Sequence, residues 1–396
     1  MLKGISTLVL STAIVGQVSA SEFEPAKIEL GNGFTMRPML GAALGYDDNT
    51  TRTRGDKTDS FFSVFAPGAN IGYGDQVSNA TLGYRATIGT YFDSSDDDYL
   101  DHSVLAALHH EFTARHRIDL SYNFDRGHDA RGTGVSEGNG ENVNEPVEWD
   151  QNKVALTYGF GVPTATVNLD FNFEYDDKEY ANFRDVTRFR DYDTVGGGVV
   201  VYWNVMPKTS LLIDSEVKSI SYDVVEQDGV SRDSDVTRVL AGVRWEATGK
   251  TTGVAKLGYE DKDFDDSGRE DFEDVSWEVG VEWTPVEYST VEFSTGRRSK
   301  DPDTFGDYIK ETSVELGWTH YWLDRFSTNL GIAYVDEQFT GIDRDDELWV
   351  TKVGATYDMK RWLQFALTYQ YQDQDSDVDS IKYDRNQVLL GVKVAM

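Results

Sequence analysis

The stretch Asp274-Val275-Ser276-Trp277-Glu278-Val279-Gly280-Val281-Glu282-Trp283 puts Val or Trp at every odd position. Asp, Ser, Glu, Gly and Glu take the even ones. A strand sends alternate side chains to opposite faces, so one face here is wholly apolar and the other polar or empty. Two architectures use such strands. In a water-soluble sandwich the apolar face is the core; in a membrane barrel it meets lipid and the polar face lines water. The choice between them rests on how the pattern repeats and how its copies are joined.

It repeats along the whole chain. Phe34 to Tyr46 keeps Phe34, Met36, Leu40, Ala42, Leu44 and Tyr46 in phase, Phe61 to Tyr73 returns, and Ala80, Leu82, Tyr84, Ala86 and Ile88 follow. Strands are then predicted over Leu100 to Phe112, Arg117 to Phe124 and Val154 to Phe160. The clearest alternation sets Val167, Leu169, Phe171, Phe173 and Tyr175 against Thr166, Asn168, Asp170, Asn172 and Glu174. Further strands are read at 195–203, 211–222, 236–245, 253–259, 275–283 and 289–295. The last are 313–322, 326–334, 348–357, 362–371 and 383–396.

The connections come in two lengths. Tight turns such as Thr113-Ala114-Arg115-His116, Met206-Pro207-Lys208 and Leu323-Asp324-Arg325 alternate with long acidic loops. Eighteen strands, nine long loops and eight short turns result. Outer-membrane barrels have this asymmetry, with short periplasmic turns, long outer loops and an even strand number. Most segments also supply the roughly 9–11 residues that a tilted strand needs to cross. Tyr46, Tyr175, Tyr222, Trp245, Tyr259, Trp277, Trp283, Trp322 and Tyr371 lie at segment ends, where interfacial aromatic girdles belong. The expected fold is all-β: a transmembrane antiparallel up-and-down barrel of about 18 strands. The final alternation, Val388, Leu390, Val392, Val394 and Met396, suits a strand that closes the barrel against the first, though many bacterial barrels end in an aromatic residue instead.

Composition agrees. The 396 residues combine 13% aromatic residues, 36 glycines and only 8 prolines with a mean hydropathy of -0.48, as expected where only alternate strand residues must be apolar. Residues 1–20 read as a secretory signal, with Lys3, an apolar run from Ile5 to Val15 and Val18-Ser19-Ala20 before the cleavage point. Residues 21–33 form a short periplasmic segment and 34–396 the barrel. The chain has no Cys, which fits an exported protein and leaves no lipid-anchor site after the signal. A net charge of -32 argues against nucleic acid as a partner, since phosphate binding needs a basic footprint.

Several residues carry a resemblance. Gly45-Tyr46-Asp47-Asp48-Asn49 ends the first strand, Pro67-Gly68 lies in the second and Tyr84 in the third. Asp97-Asp98-Tyr99-Leu100-Asp101-His102, Arg117-Ile118-Asp119-Leu120 and Asp125-Arg126-Gly127 follow. Over residues 38–127 the chain resembles the outer-membrane β-barrel porins encoded with exopolysaccharide or capsule biosynthesis clusters. The resemblance implies a Gram-negative outer-membrane barrel that assists polysaccharide export, and it implies no catalytic residues.

Eighteen strands enclose an aqueous channel rather than a core of side chains. The candidate lumen-lining residues are Arg85, Lys153, Asp170, Glu174, Asp214, Glu216, Lys218, Arg238, Arg244, Lys256, Glu278, Glu282, Glu315, Lys352 and Lys393. They read equally well as charge rings that select solutes and as mutually paired charges that select nothing. The wall is not dominated by arginine, so a neutral or mixed-charge substrate is expected. The loop from Arg126 to about Glu148 is long enough for a lid, a plug or a disordered tip. Asp373, Asp375, Asp377 and Asp379 alternate, but Val378 stands where a calcium loop needs Gly, so solvated loops are the default over loose divalent-cation bridging. His109 and His110 are adjacent, hence on opposite strand faces, and no nucleophile elbow or zinc signature occurs. No enzymatic activity, cofactor or metal is expected. The expected partners are outer-membrane lipid, a polysaccharide and components of a secretion system. The main reading is a channel assisting polysaccharide export, with a diffusion porin for small solutes as the alternative. A surface-binding protein anchored by its barrel is a third reading.

Overall fold

The computed structural model describes residues 26–162, 164–226, 229–246 and 249–396. The expected leader at 1–20 therefore lies outside the described residues. Eighteen long strands pair in chain order and the last closes on the first, giving an antiparallel barrel with one short extra strand. The extra strand, β1 (Ile28–Gly31), folds back on the foot of the next and falls within the segment expected at 21–33. The barrel begins with β2 (Phe34–Asp47), β3 (Ser60–Gly74), β4 (Ser78–Tyr91), β5 (Tyr99–Thr113), β6 (His116–Asp129) and β7 (Val147–Phe160). It continues with β8 (Val167–Tyr180), β9 (Tyr192–Met206), β10 (Thr209–Tyr222), β11 (Ser234–Trp245), β12 (Thr251–Phe264) and β13 (Phe272–Val286). The circuit ends with β14 (Ser289–Lys300), β15 (Ile309–Leu323), β16 (Phe326–Phe339), β17 (Asp345–Lys360), β18 (Leu363–Ser376) and β19 (Tyr383–Ala395). Closure is made by β19 on β2, where Val388 faces Tyr46 and Val394 faces Leu40. Every strand from β2 to β19 thus has two neighbours in the ring, which removes the open edges that a membrane cannot tolerate.

The outward face is apolar. Leu44, Leu82, Phe173, Ile213, Leu257, Leu316 and Leu367 project from it exposed, as does Trp283. Leu257 stands directly opposite Trp277 and Ala241, so its neighbours across the ladder share the lipid side. An apolar band of this extent meets hydrocarbon.

Most strands outrun their apolar alternation at the long-loop end. β8 continues past Tyr175 through Asp176-Asp177-Lys178-Glu179 to Tyr180, and β12 continues past Tyr259 to Phe264. Backbone pairing persists beyond the lipid boundary, where both faces can be polar, so the hydrophobic pattern stops before the strand does. The outer loops are correspondingly shorter than their sequences suggest. The connection read at 126–148 is a loop over 130–146, ordered by two single 3₁₀ turns, Gly134–Ser136 and Gly140–Asn142.

Candidate functional site: the lumen and its cap

Register fixes which residues share the inner wall. Asp214 opposes Leu240, Leu240 opposes Gly258, and Gly258 opposes Ser276 across β10 to β13. All share a side, opposite Leu257 and Trp277. The fifteen candidate residues project from this non-lipid side of their strands.

Seven of them form two groups of ion pairs over β8 to β13. Lys218 Nζ lies 2.6 Å from Glu174 and 3.1 Å from Glu216, and Glu216 lies 3.0 Å from Arg238. In the second group, one same-face step along β10 from Glu216, Lys256 bridges Asp214 at 3.0 Å and Glu278 at 2.7 Å. Asp170 accepts a hydrogen bond from Arg117, a residue not among the fifteen. Lys153 lies 3.5 Å from Asp176, and the Arg244 guanidinium sits 4.4 Å from the centre of the Tyr202 ring. The remaining residues are more dispersed. Glu282 directly opposes Glu292, so two carboxylates share one patch. Lys352, opposite Gly331, lies diagonally from Glu315, which is opposite Ala333. Lys393 opposes Gly41 at the closing seam. Arg85 opposes Gly68 and Ser103 halfway down the barrel, with no ion pair or hydrogen bond to its guanidinium among the described residues.

The outer mouth is not open. Arginines in the outer loops fasten those loops to one another. Arg131 donates from Nε to Asp97 at 2.8 Å and from Nη2 to Ser94 at 2.8 Å. Arg52 donates to the Arg131 carbonyl at 2.8 Å, locking the loop after β2 beneath the loop after β6. Arg344 holds Asp346 through Nε at 3.1 Å and reaches Glu137 of the 130–146 loop at 2.6 Å. On the other side, Glu226 collects Arg190 at 2.6 Å, Arg232 at 2.8 Å and Arg269 at 3.1 Å. Those arginines also bond to carbonyls of Asp303, Thr304 and Gly306, so the 301–308 loop lies folded across the mouth. Pro302 in that loop is fully buried.

The electrostatics of the cap follow from this burial. Burial raises the Glu137 carboxyl to about 7, against the opposing pull of Arg344. Burial also raises Asp97, but the hydrogen bonds from Arg131 and Ser94 outweigh it and hold that carboxyl below its usual range. Glu226 is likewise pushed up by burial and pulled below its ordinary value by Arg232 and Arg190. Buried pairs such as Arg131–Asp97 are costly to break singly, because one uncompensated charge stays behind.

The sequence reading left three structures open for the 126–148 loop; the observed one is a fastened cap over 130–146. The arginines that fasten it were not among the candidate residues. Their signal was present only in part: Arg131, Arg232, Arg269 and Arg344 each stand alone in an otherwise acidic loop, whereas Arg52 shares its loop with Arg54 and Lys57, and Arg190 with Arg184 and Arg188. Under the cap lie two cavities, of about 480 Å³ and about 690 Å³, which share Lys153 as a wall residue. The acidic series near 375 is bridged by Lys382, 3.3 Å from Asp375 and 3.6 Å from Asp379.

A closed 18-stranded barrel with an apolar belt, a charged wall and a folded cap defines the porin and transporter class of outer-membrane proteins. The family model described as "Putative beta-barrel porin 2" matches residues 21–396, and the chain belongs to that family. No curated protein matches it in sequence. Among solved structures, the FrpB iron transporter from Neisseria meningitidis (F3-3 variant) is 12% identical with a TM-score of 0.50. That match covers 93% of this chain and 82% of the other. The outer membrane protein OpdK from Pseudomonas aeruginosa is 11% identical with a TM-score of 0.50, covering 91% of this chain and 98% of the other. These likenesses are to the barrel fold.

Proposed function

We propose that the protein is an outer-membrane channel that assists export of a polysaccharide of neutral or mixed charge. The observation that carries this reading is the wall itself. Glu174, Lys218, Glu216 and Arg238 neutralise one another, and Lys256 is shared between Asp214 and Glu278, which leaves one net negative charge over the seven. Such a wall offers many donors and acceptors to hydroxyl groups while holding no ion strongly, which favours passage of an uncharged polar chain. The cap supports a conduit that opens on demand. The resemblance over residues 38–127 points the same way.

The unpaired Glu282–Glu292 patch favours a second reading, a diffusion porin with a weak preference for cations. Gene deletion separates the two. Loss of surface polysaccharide with normal uptake of small sugars supports export; normal polysaccharide with impaired uptake supports diffusion. A blocked barrel should reproduce the deletion. Gly317 and Gly331 suit Trp substitution, since a β-carbon there meets only ordinary contacts at 3.5 Å and 3.8 Å. Gly258 does not, because its β-carbon would collide with the Val239 carbonyl oxygen.

A further inference from the structure

The short-turn end of the barrel differs in charge from the rest of the molecule. Acidic residues outnumber basic ones in most of the outer loops, as in Asp96-Asp97-Asp98 and Asp265-Asp266. At the other end the balance reverses. The hairpins from β9 to β18 carry Lys208, Lys250, Arg325, Lys360 and Arg361 at their turns, against Glu246, Glu287 and Asp324. In a chain of net charge -32 that is a marked departure, and it is confined to one rim.

The same hairpins hold most of the tryptophan. Of the nine indoles, Trp203, Trp245, Trp283, Trp322 and Trp362 lie within a few residues of these turns, whereas the β2–β8 arc has none at its short turns. They belong to the lipid side. Trp203 opposes Val167 and Leu211, both exposed there, and Trp245 covers Gly253, where a β-carbon would collide with its ring. Tryptophan and a basic residue thus recur together: Trp203 with Lys208, Trp245 with Lys250, Trp322 with Arg325, and Trp362 with Lys360 and Arg361. Among these hairpins the β13–β14 turn breaks the pattern, with Glu287 and Tyr288 after Trp283; the Tyr288 ring centre lies 5.4 Å from that of His320.

An indole sits best at a membrane boundary, with its ring in hydrocarbon and its N–H toward water. Trp203, Trp283 and Trp362 are exposed, and their N–H groups donate to no partner among the described residues; that of Trp322 donates to Thr328 at 2.9 Å. These tryptophans mark where headgroups begin, and the basic residues stand at or just beyond that line. Lys208, Lys360 and Arg361 are exposed and form no ion pair among the described residues. Lys250 donates to the Pro285 carbonyl at 2.8 Å, which ties it to the neighbouring turn. The acidic outer loops are too distant to cancel this charge: an apolar band about 25 Å tall lies between, whereas salt screens exposed charges over about 8 Å.

We infer that the β9–β18 rim is a docking surface for anionic phospholipid headgroups of the periplasmic leaflet. Short turns face the periplasm in barrels of this class, so the lipid of that side is what the rim meets. A phosphate diester accepts charge-assisted hydrogen bonds from Lys and Arg. In a zwitterionic headgroup a cationic amine offsets that attraction. In an anionic one nothing offsets it, so the rim selects the anionic class. The indole N–H groups can donate to the ester and phosphate oxygens at the same level. The consequence is an uneven lipid shell, with anionic lipid held along β9–β18 and less of it along the tryptophan-free arc.

The test is independent of what the lumen carries. The whole protein is folded into phosphatidylcholine bilayers containing brominated phosphatidylglycerol or brominated phosphatidylcholine, and quenching of tryptophan fluorescence gives the relative association constants of the two lipids. Phosphatidylglycerol is expected to bind more tightly, and the ratio should shrink as salt is raised. In the protein carrying Lys208→Gln, Lys360→Gln and Arg361→Gln the ratio should fall toward one, each charge contributing up to about fivefold at its own position. Lys57→Gln, in the outer loop after β2, should leave the ratio unchanged, and heat resistance in detergent checks that each variant is folded. If the triple variant does not fold, the three single variants are read in the same way. Equal association of the two lipids with the wild-type protein, or a ratio that the rim substitutions leave intact, overturns the inference. So does cosedimentation with purified peptidoglycan in place of any lipid preference, which would make the cell wall the partner of this rim.

Discussion

Docking of the cap is expected to depend on pH through Glu137. Its carboxyl sits under the 130–146 loop, 2.6 Å from Arg344, whose guanidinium is already committed to Asp346. Burial raises the group from its ordinary 4.5 to about 7 in the docked cap. Undocking returns it to water and to its ordinary value. A raised value means that the docked form binds a proton the undocked form has released, so docking is favoured at low pH and weakened as pH rises through about 7. Between about pH 5.5 and about pH 8.5 the linkage amounts to roughly 2 kcal/mol, or about thirtyfold in the docked-to-undocked ratio. Single-channel recordings across that range should show open probability rising with pH. Glu137→Gln, which stays neutral, should remove most of the dependence and hold the cap as it is at acid pH. Open probability that falls with rising pH, or an unchanged slope in the variant, would refute the reasoning.

Four other outcomes follow from the fold. Leu257→Arg, near the middle of β12 on the lipid side, should cost about 2–4 kcal/mol in urea unfolding from bilayers; a neutral result would remove β12 from the membrane. Arg131→Ala strands the buried Asp97 and should expose the 130–146 loop to limited proteolysis, whereas Arg131→Ala with Asp97→Ala should restore much of the protection. Glu216→Gln leaves Lys218 and Arg238 less compensated, so reversal potentials should move toward anions; a shift toward cations would contradict the pairing. An epitope inserted beside Ser267 should be detected on intact cells and one at Lys208 only after permeabilisation, and the opposite pattern would invert the barrel.

The sequence by itself determined the barrel, its strand number and the identity of its two faces. Val275, Trp277, Val279, Val281 and Trp283 sit on one side of β13 because side-chain alternation is a local property of an extended backbone. Turn length is local too, so the assignment of long and short ends needed no tertiary information. What the alternation could not show is where pairing ends, because Asp176 to Tyr180 and Asp261 to Phe264 continue the ladder after the apolar signal stops. Nor could it separate selective charge rings from paired ones. Glu174 and Lys218 lie far apart in sequence, and their 2.6 Å contact exists only because Gly196 lies between them on the intervening strand. The cap depended most on the tertiary structure. Arg385 meets Asp47, and Arg344 meets Glu137, through loops and strand ends brought together by closure of the ring. A desolvated ion pair needs both charges delivered to one place, and only the closed barrel brings the two ends of the chain there.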